Sequence, residues 1–245
     1  MYYARHRYTA ASSFLPPGVK WLLIANVAVF VVEYFAVALT GRDPLRWLGL
    51  VPWEVLSRGH LWQLASYMFL HGGFWHILIN LLTLWMFGLD LERDWGTRRF
   101  LEYYFLCGVG AGVCVIVASL LFGGMGSRTI GASGAIYGLL LAFGLLYPDR
   151  VILFSFLFPI KAKYFVLIIG AIAFMSSFSG GSGVSHIAHL GGMIFGYLYL
   201  KTRLPRLDLL AGLKRHYREW KLERARRRFQ IYLRKHDPKR DRWVH

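Results

Sequence analysis

The chain has 245 residues, of which 56% are hydrophobic and only 17% charged, and its mean hydropathy is +0.41. A water-soluble domain of this length distributes charge over its whole surface, whereas here the charges crowd into a few segments. That pattern excludes an ordinary soluble domain and predicts an all-α, polytopic membrane protein. The formal net charge of +16 is concentrated toward the C-terminal end, which makes it an argument about orientation rather than fold.

In chain order, residues 1–18 form a short polar segment without a signal-peptide cleavage pattern, so the first apolar run is expected to remain as an anchor. Charge-poor runs at about 19–40, 71–89, 100–122, 129–147, 164–179 and 185–201 predict six spans, together a membrane domain over 19–202. Residues 41–70, with Trp53 and Trp62, read as an interfacial segment because indole rings favour the headgroup level. From Tyr164 to Leu200 no charge occurs, and the Gly/Ser-rich stretch 176–185 supplies the break between two spans. Residues 203–245 form a basic tail in which Leu210, Leu213, Tyr217 and Trp220 recur at helical spacing. An amphipathic helix on an anionic inner leaflet is expected there in preference to nucleic-acid binding.

Basic residues set the orientation. Arg5, Arg7 and Lys20, then Arg93, Arg98 and Arg99, then Arg150, Lys161 and Lys163, and finally the tail all fall on one side of the spans. Only Arg42, Arg46, Arg58 and Arg128 fall on the other. The positive-inside rule therefore predicts a multi-pass protein of the cell membrane with both termini cytoplasmic. Cys107 and Cys114 stand two helical turns apart, about 10 Å, too far for a disulfide, and are expected to pack.

Orientation brings several polar residues to one depth. His76 and Asn80 enter the second span, Ser133 the fourth, and His186 and His189 the sixth, all from the outer side. Polar groups within spans are costly and mark function. Ser133 supplies a hydroxyl nucleophile, with Gly131 and Gly134 leaving its Oγ approachable and its N–H open to an oxyanion. His189 shares a face with Gly192 and Gly196, suited to close approach toward the Gly134/Gly138 face, and His186 lies one turn away as a rival base. His76 and Asn80, at i and i+4, are paired hydrogen-bond donors, and Tyr137 stands where it can stack on an imidazole. The bland alternatives are helix packing for the serine and glycines and interhelical clasps for the polar pairs. Four histidines also raise zinc, but HExxH and a nearby carboxylate are missing, so no metal and no cofactor are expected. Glu33 and His71 receive no role from the sequence.

His71-Gly-Gly-Phe-Trp-His76-Ile-Leu-Ile-Asn80, Gly131-Ala-Ser133-Gly134-Ala-Ile-Tyr137 and Ala188-His189-Leu-Gly-Gly192-Met-Ile-Phe-Gly196 occur in order on alternate spans. In this combination the chain resembles the rhomboid family of intramembrane serine proteases, over roughly residues 15–202. The resemblance implies a six-helix bundle, a Ser133–His189 dyad with His189 rather than His186 as base, and an oxyanion site from the Ser133 N–H, His76 and Asn80. It also implies that Tyr137 packs on the histidine and that residues 41–70 form a membrane-lying loop. The implied substrates are transmembrane segments of other proteins within the lipid bilayer, cut near the extracytoplasmic face, with no nucleic-acid partner. A helix-holding protein without catalysis and a proton-relay transporter are the competing classes; the second finds no inverted repeat or charged pathway to support it.

Overall fold

The computed structural model describes residues 15–154, 158–177, 183–203, 217 and 219–229. The chain divides into a compact unit, Met1–Leu200, and a second unit, Lys201–His245. Of the second, residues 217 and 219–229 are helical; most of the proposed tail lies outside the described residues.

The first unit is built on helices α1 (Pro17–Thr40), α2 (Pro52–Arg58), α3 (Gln63–Ser66), α4 (Phe74–Trp95), α5 (Thr97–Phe122), α6 (Ser133–Leu146), α7 (Ala162–Ser176) and α8 (Gly183–Arg203). Three of them, α1, α4 and α5, are long and apolar enough to cross a membrane. The outward faces of these helices are apolar, with Val32, Phe35, Ile79, Val117 and Leu120 all exposed, as contact with lipid permits. The short α6 and α7, of 14 and 15 residues, reach only about 21–22 Å, against about 30 Å of hydrocarbon.

The shortness of α6 departs from the run of 129–147 expected to span. Thr129 instead exchanges backbone hydrogen bonds with Leu50, at 2.8 and 3.0 Å, in an isolated antiparallel bridge. The Gly131 N–H then donates to the Tyr67 carbonyl at 2.9 Å, with Gly131 at φ 117°, and only at Ser133 does the helix begin. A residue with a Cβ would be strained at that φ. The interfacial segment is itself held by Gln63, which accepts from the Val51 N–H at 3.0 Å and donates to the Trp47 carbonyl at 3.1 Å and to Glu54 at 2.7 Å. That amide bond is the first cause holding the Glu54 carboxyl below the usual carboxylate range.

α6 is the centre of the bundle, packed against α4, α5 and α7. Tyr103 donates from its buried hydroxyl to the Gly138 carbonyl at 2.7 Å, and Tyr67 likewise to Gly108, also at 2.7 Å. Against α8 the approach is closer still: a Cβ on Gly192 would overlap the Gly134 carbonyl, and one on Gly138 would meet Cys107 and the Gly192 carbonyl. Cys107 and Cys114 are both free.

Two features lie beyond the sequence reading. Between α6 and α7, strands β1 (Val151–Phe154) and β2 (Phe158–Lys161) pair antiparallel, with Val151 opposite Lys161 and Phe154 opposite Phe158, a small β element in a chain read as all-α. β-branched and aromatic residues favour such pairing. Beside it, Lys163 donates to Asp149 at 2.9 Å, and this bond is the first cause that holds the Asp149 carboxyl below its ordinary range. The second feature is a clasp on the start of α1. Glu92, near the end of α4, is only 2% exposed. Its carboxylate accepts the Gly18 and Val19 N–H groups, both at 2.7 Å, and the Thr97 hydroxyl at 2.6 Å. Those N–H groups have no partner within their own helix, and the positive helix end favours a carboxylate. Gly18 is required because a Cβ there would stand 2.9 Å from Glu92 Oε1.

Glu92→Gln keeps the shape but loses the charge and one acceptor, and is expected to cost ~1–3 kcal/mol, read as a lowered melting midpoint in detergent. Gly192→Ala is expected to lower the midpoint by a similar amount, since the two backbones must separate to admit a methyl group.

Candidate active site

The polar residues singled out in the sequence converge on one cavity of about 430 Å3 between α4, α6, α7 and α8. His76, Asn80, Ser133, Tyr137 and His189 line it together with apolar side chains, among them Ile136, Phe165 and Ile169.

Ser133 is the first residue of α6, so its Oγ stands at the head of the helix and its N–H is among those that α6 cannot satisfy internally. The Oγ lies 2.8 Å from His189 Nε2 on α8. For the hydroxyl to donate to Nε2, the ring's proton must sit on Nδ1, a buried atom with no hydrogen-bond partner among the described residues. Among the described residues no third group orients the serine–imidazole pair by a hydrogen bond. Packing takes that part: the Tyr137 ring lies parallel to His189 at 2° with centroids 4.1 Å apart, and His186 meets it edge-on at 5.8 Å. His186, the rival base, thus sits against His189 and not among the residues that line the cavity.

The tautomer of His76 follows from a bond the sequence did not suggest. The Gly72 N–H donates to His76 Nδ1 at 3.3 Å, so the hydrogen of the neutral ring is on Nε2. That nitrogen faces Gly131: a Cβ placed there would lie 2.9 Å from His76 Nε2 and 3.8 Å from Ser133 Oγ. Gly131 thus keeps open the space between the N–H of His76 and the hydroxyl of Ser133. Asn80 is buried and donates one amide hydrogen to the His76 carbonyl at 3.0 Å, which leaves its second available. The Ser133 N–H at a positive helix end, His76 Nε2–H and Asn80 are three donors at this cavity, the kind of group that can stabilise developing negative charge.

Gly134 and Gly192 serve the same geometry from behind, since their close approach sets the separation of α6 and α8. Glu33 and His71 stand outside this cavity, and Glu33 lies 3.9 Å from Arg128, a partner 95 residues away that no local pattern could name. Gly72, Phe165, Ile169 and the hairpin residues Ile152 and Leu153 were missed. For Gly72 the only signal was its place in a Gly-Gly pair one turn before His76.

Comparison with known proteins gives the arrangement its context. The Rhomboid domain matches residues 58–206, more than half of the chain. Among similar proteins are RHOMBOID-like protein 5 of Arabidopsis thaliana, 30% identical over 62% of this chain and 47% of that protein, and Rhomboid protein 1, mitochondrial, of Saccharomyces cerevisiae, 30% identical over 73% and 51%. Rhomboid protease GluP of Bacillus subtilis is 33% identical over 74% of this chain and 34% of its own length. The matched region thus spans about half or less of each of these relatives. With the domain matched from the end of α2 through α8, the chain belongs to the rhomboid family.

Proposed function

We propose that this chain is an intramembrane serine endopeptidase that cleaves transmembrane segments of substrate proteins near the extracytoplasmic face. The observation that carries the reading is the 2.8 Å contact between Ser133 Oγ and His189 Nε2 inside a cavity ringed by hydrogen-bond donors. The names of relatives such as Rhomboid protease GluP of Bacillus subtilis support the same class. In this reading the bundle has six spans, both termini face the cytoplasm, and the basic residues on that side keep it so.

His189 Nε2 takes the proton from Ser133 Oγ as the oxygen attacks the scissile carbonyl carbon, and the carbonyl oxygen becomes an oxyanion facing the Ser133 N–H, His76 Nε2–H and Asn80. His189 returns the proton to the leaving amine, the C–N bond breaks and an acyl-Ser133 ester remains. A water molecule, deprotonated by His189, then releases the new carboxyl terminus and regenerates the serine. A dyad without a carboxylate avoids burying a further charge at low dielectric. The substrate carbonyl must first leave its own helical hydrogen bond, so residues that weaken a helix favour cleavage.

In liposomes containing a single-span substrate, Ser133→Ala and His189→Ala are each expected to abolish cleavage while the protein stays folded. A fluorophosphonate probe is expected to label the parent and not the Ser133→Ala variant; full cleavage by that variant removes Ser133 as the nucleophile. His76→Ala is expected to lower kcat about 10²–10³-fold with little change in KM, since its N–H acts on charge that develops only at the transition state. An equal rise in KM with kcat intact assigns His76 to substrate binding instead.

A further inference from the structure

A second cavity, of about 690 Å3, lies between α1 and the turn that leads into α4. Phe30, Glu33, Tyr34, His71 and Phe74 are among its walls. Two of these residues carry a buried acceptor atom with no hydrogen-bond partner among the described residues, Glu33 Oε2 and His71 Nε2. His71 Nδ1 is 3.3 Å from the Phe69 carbonyl, which can only accept, so the ring hydrogen is on Nδ1 and Nε2 presents a lone pair. A buried acceptor left unpaired is costly, and two in one cavity call for a ligand that donates.

The charge nearby has a sign. Arg128 pairs with Asp43 at 2.9 Å and stands 3.9 Å from Glu33, so one guanidinium faces two carboxylates and the three carry a net negative charge. Among the described residues Arg128 does not line the cavity, and Glu33 alone of those that do carries a charge. Three of the other walls are aromatic rings, Phe30, Tyr34 and Phe74; Phe30 and Tyr34 stack with centroids 6.3 Å apart, and Tyr34 and Phe74 are 61% and 62% exposed. A carboxylate among aromatic faces is the combination that selects an organic cation, through charge on one side and the ring quadrupoles on the others.

The geometry points to a binding site for an organic ammonium group, held by Glu33 and the Phe30, Tyr34 and Phe74 rings, with His71 Nε2 accepting one of its N–H bonds. The amine belongs either to an ethanolamine-type lipid headgroup or to a small free amine. Glu33 lies seven residues before the end of α1, about 10 Å along the helix from that end. Occupancy bears on the first cavity, because the His71 ring packs edge-on against His76 with centroids 5.1 Å apart. The binding itself does not depend on whether the first cavity performs proteolysis.

Native mass spectrometry of the full chain in mild detergent tests this with phosphatidylethanolamine and phosphatidylglycerol of the same acyl chains. The parent is expected to retain the ethanolamine lipid about tenfold over the glycerol lipid, the effect of one charge-assisted hydrogen bond. Glu33→Gln, which keeps the shape and removes the charge, is expected to bring the ratio near one, and Tyr34→Ala to lower it several-fold. Melting curves of each variant verify folding, and Tyr34→Ala with the parent ratio decides the matter if Glu33→Gln does not fold. Ethanolamine alone serves as the second arm: a Glu33-dependent rise in melting temperature without lipid preference assigns the site to a free amine. Equal retention of the two lipids together with no ethanolamine effect overturns the proposal, as does an unchanged ratio in a folded Glu33→Gln variant.

Discussion

The contact between the backbones of α6 and α8 governs everything else in the bundle. Ser133 and His189 are separated by 56 residues, and a hydroxyl and an imidazole meet at 2.8 Å only if their helices run almost backbone to backbone. Glycine makes that possible: with any side chain at Gly192, the Gly134 carbonyl would have to move. Between apolar helices in lipid there is little hydrophobic gain from association, so close packing and buried hydrogen bonds must hold the pair together. The Tyr103 hydroxyl on the Gly138 carbonyl does this from α5.

A second constraint concerns hydrogen-bond direction. His76 and His189 are chemically the same side chain, yet the proposed mechanism uses them as opposite tautomers. The Gly72 N–H occupies Nδ1 of His76 and leaves a donor at Nε2, whereas the Ser133 hydroxyl occupies Nε2 of His189 and leaves an acceptor there for its proton. One ring is thereby arranged to give a hydrogen bond and the other to receive one, facing the same small space. No formal charge is required at rest, which suits a site walled largely by apolar side chains.

The helical framework was legible because, Glu33 apart, charge falls at or near the ends of the apolar runs. The residues of the cavity were legible because polar side chains in such runs are rare, and Ser133, His76, Asn80, Tyr137 and His189 stood out against Leu, Ile and Phe. What escaped depends on partners far apart in the chain. Glu92 drew no reading from the sequence, and nothing local connects it to the Gly18 N–H 74 residues earlier. Arg128 read as a stray outer charge, although it joins Asp43 and Glu33. The start of α6 was placed four residues early because Thr129 and Ile130 are as apolar in pattern as the helix that follows. Only the bridge to Leu50 shows that the backbone is still extended there.

That bridge has a bearing on how the protein sits in lipid. The backbone just ahead of Ser133 is tied to Leu50 and Tyr67, and so to the tryptophan-bearing segment around it, by three hydrogen bonds. The vertical position of the hydroxyl is therefore referenced to an internal ruler within the polypeptide and not to the hydrocarbon boundary. Bilayers of unequal thickness can tilt the longer helices or deform around them, but the hydroxyl keeps its offset from that ledge, and it is the lipid that must adjust.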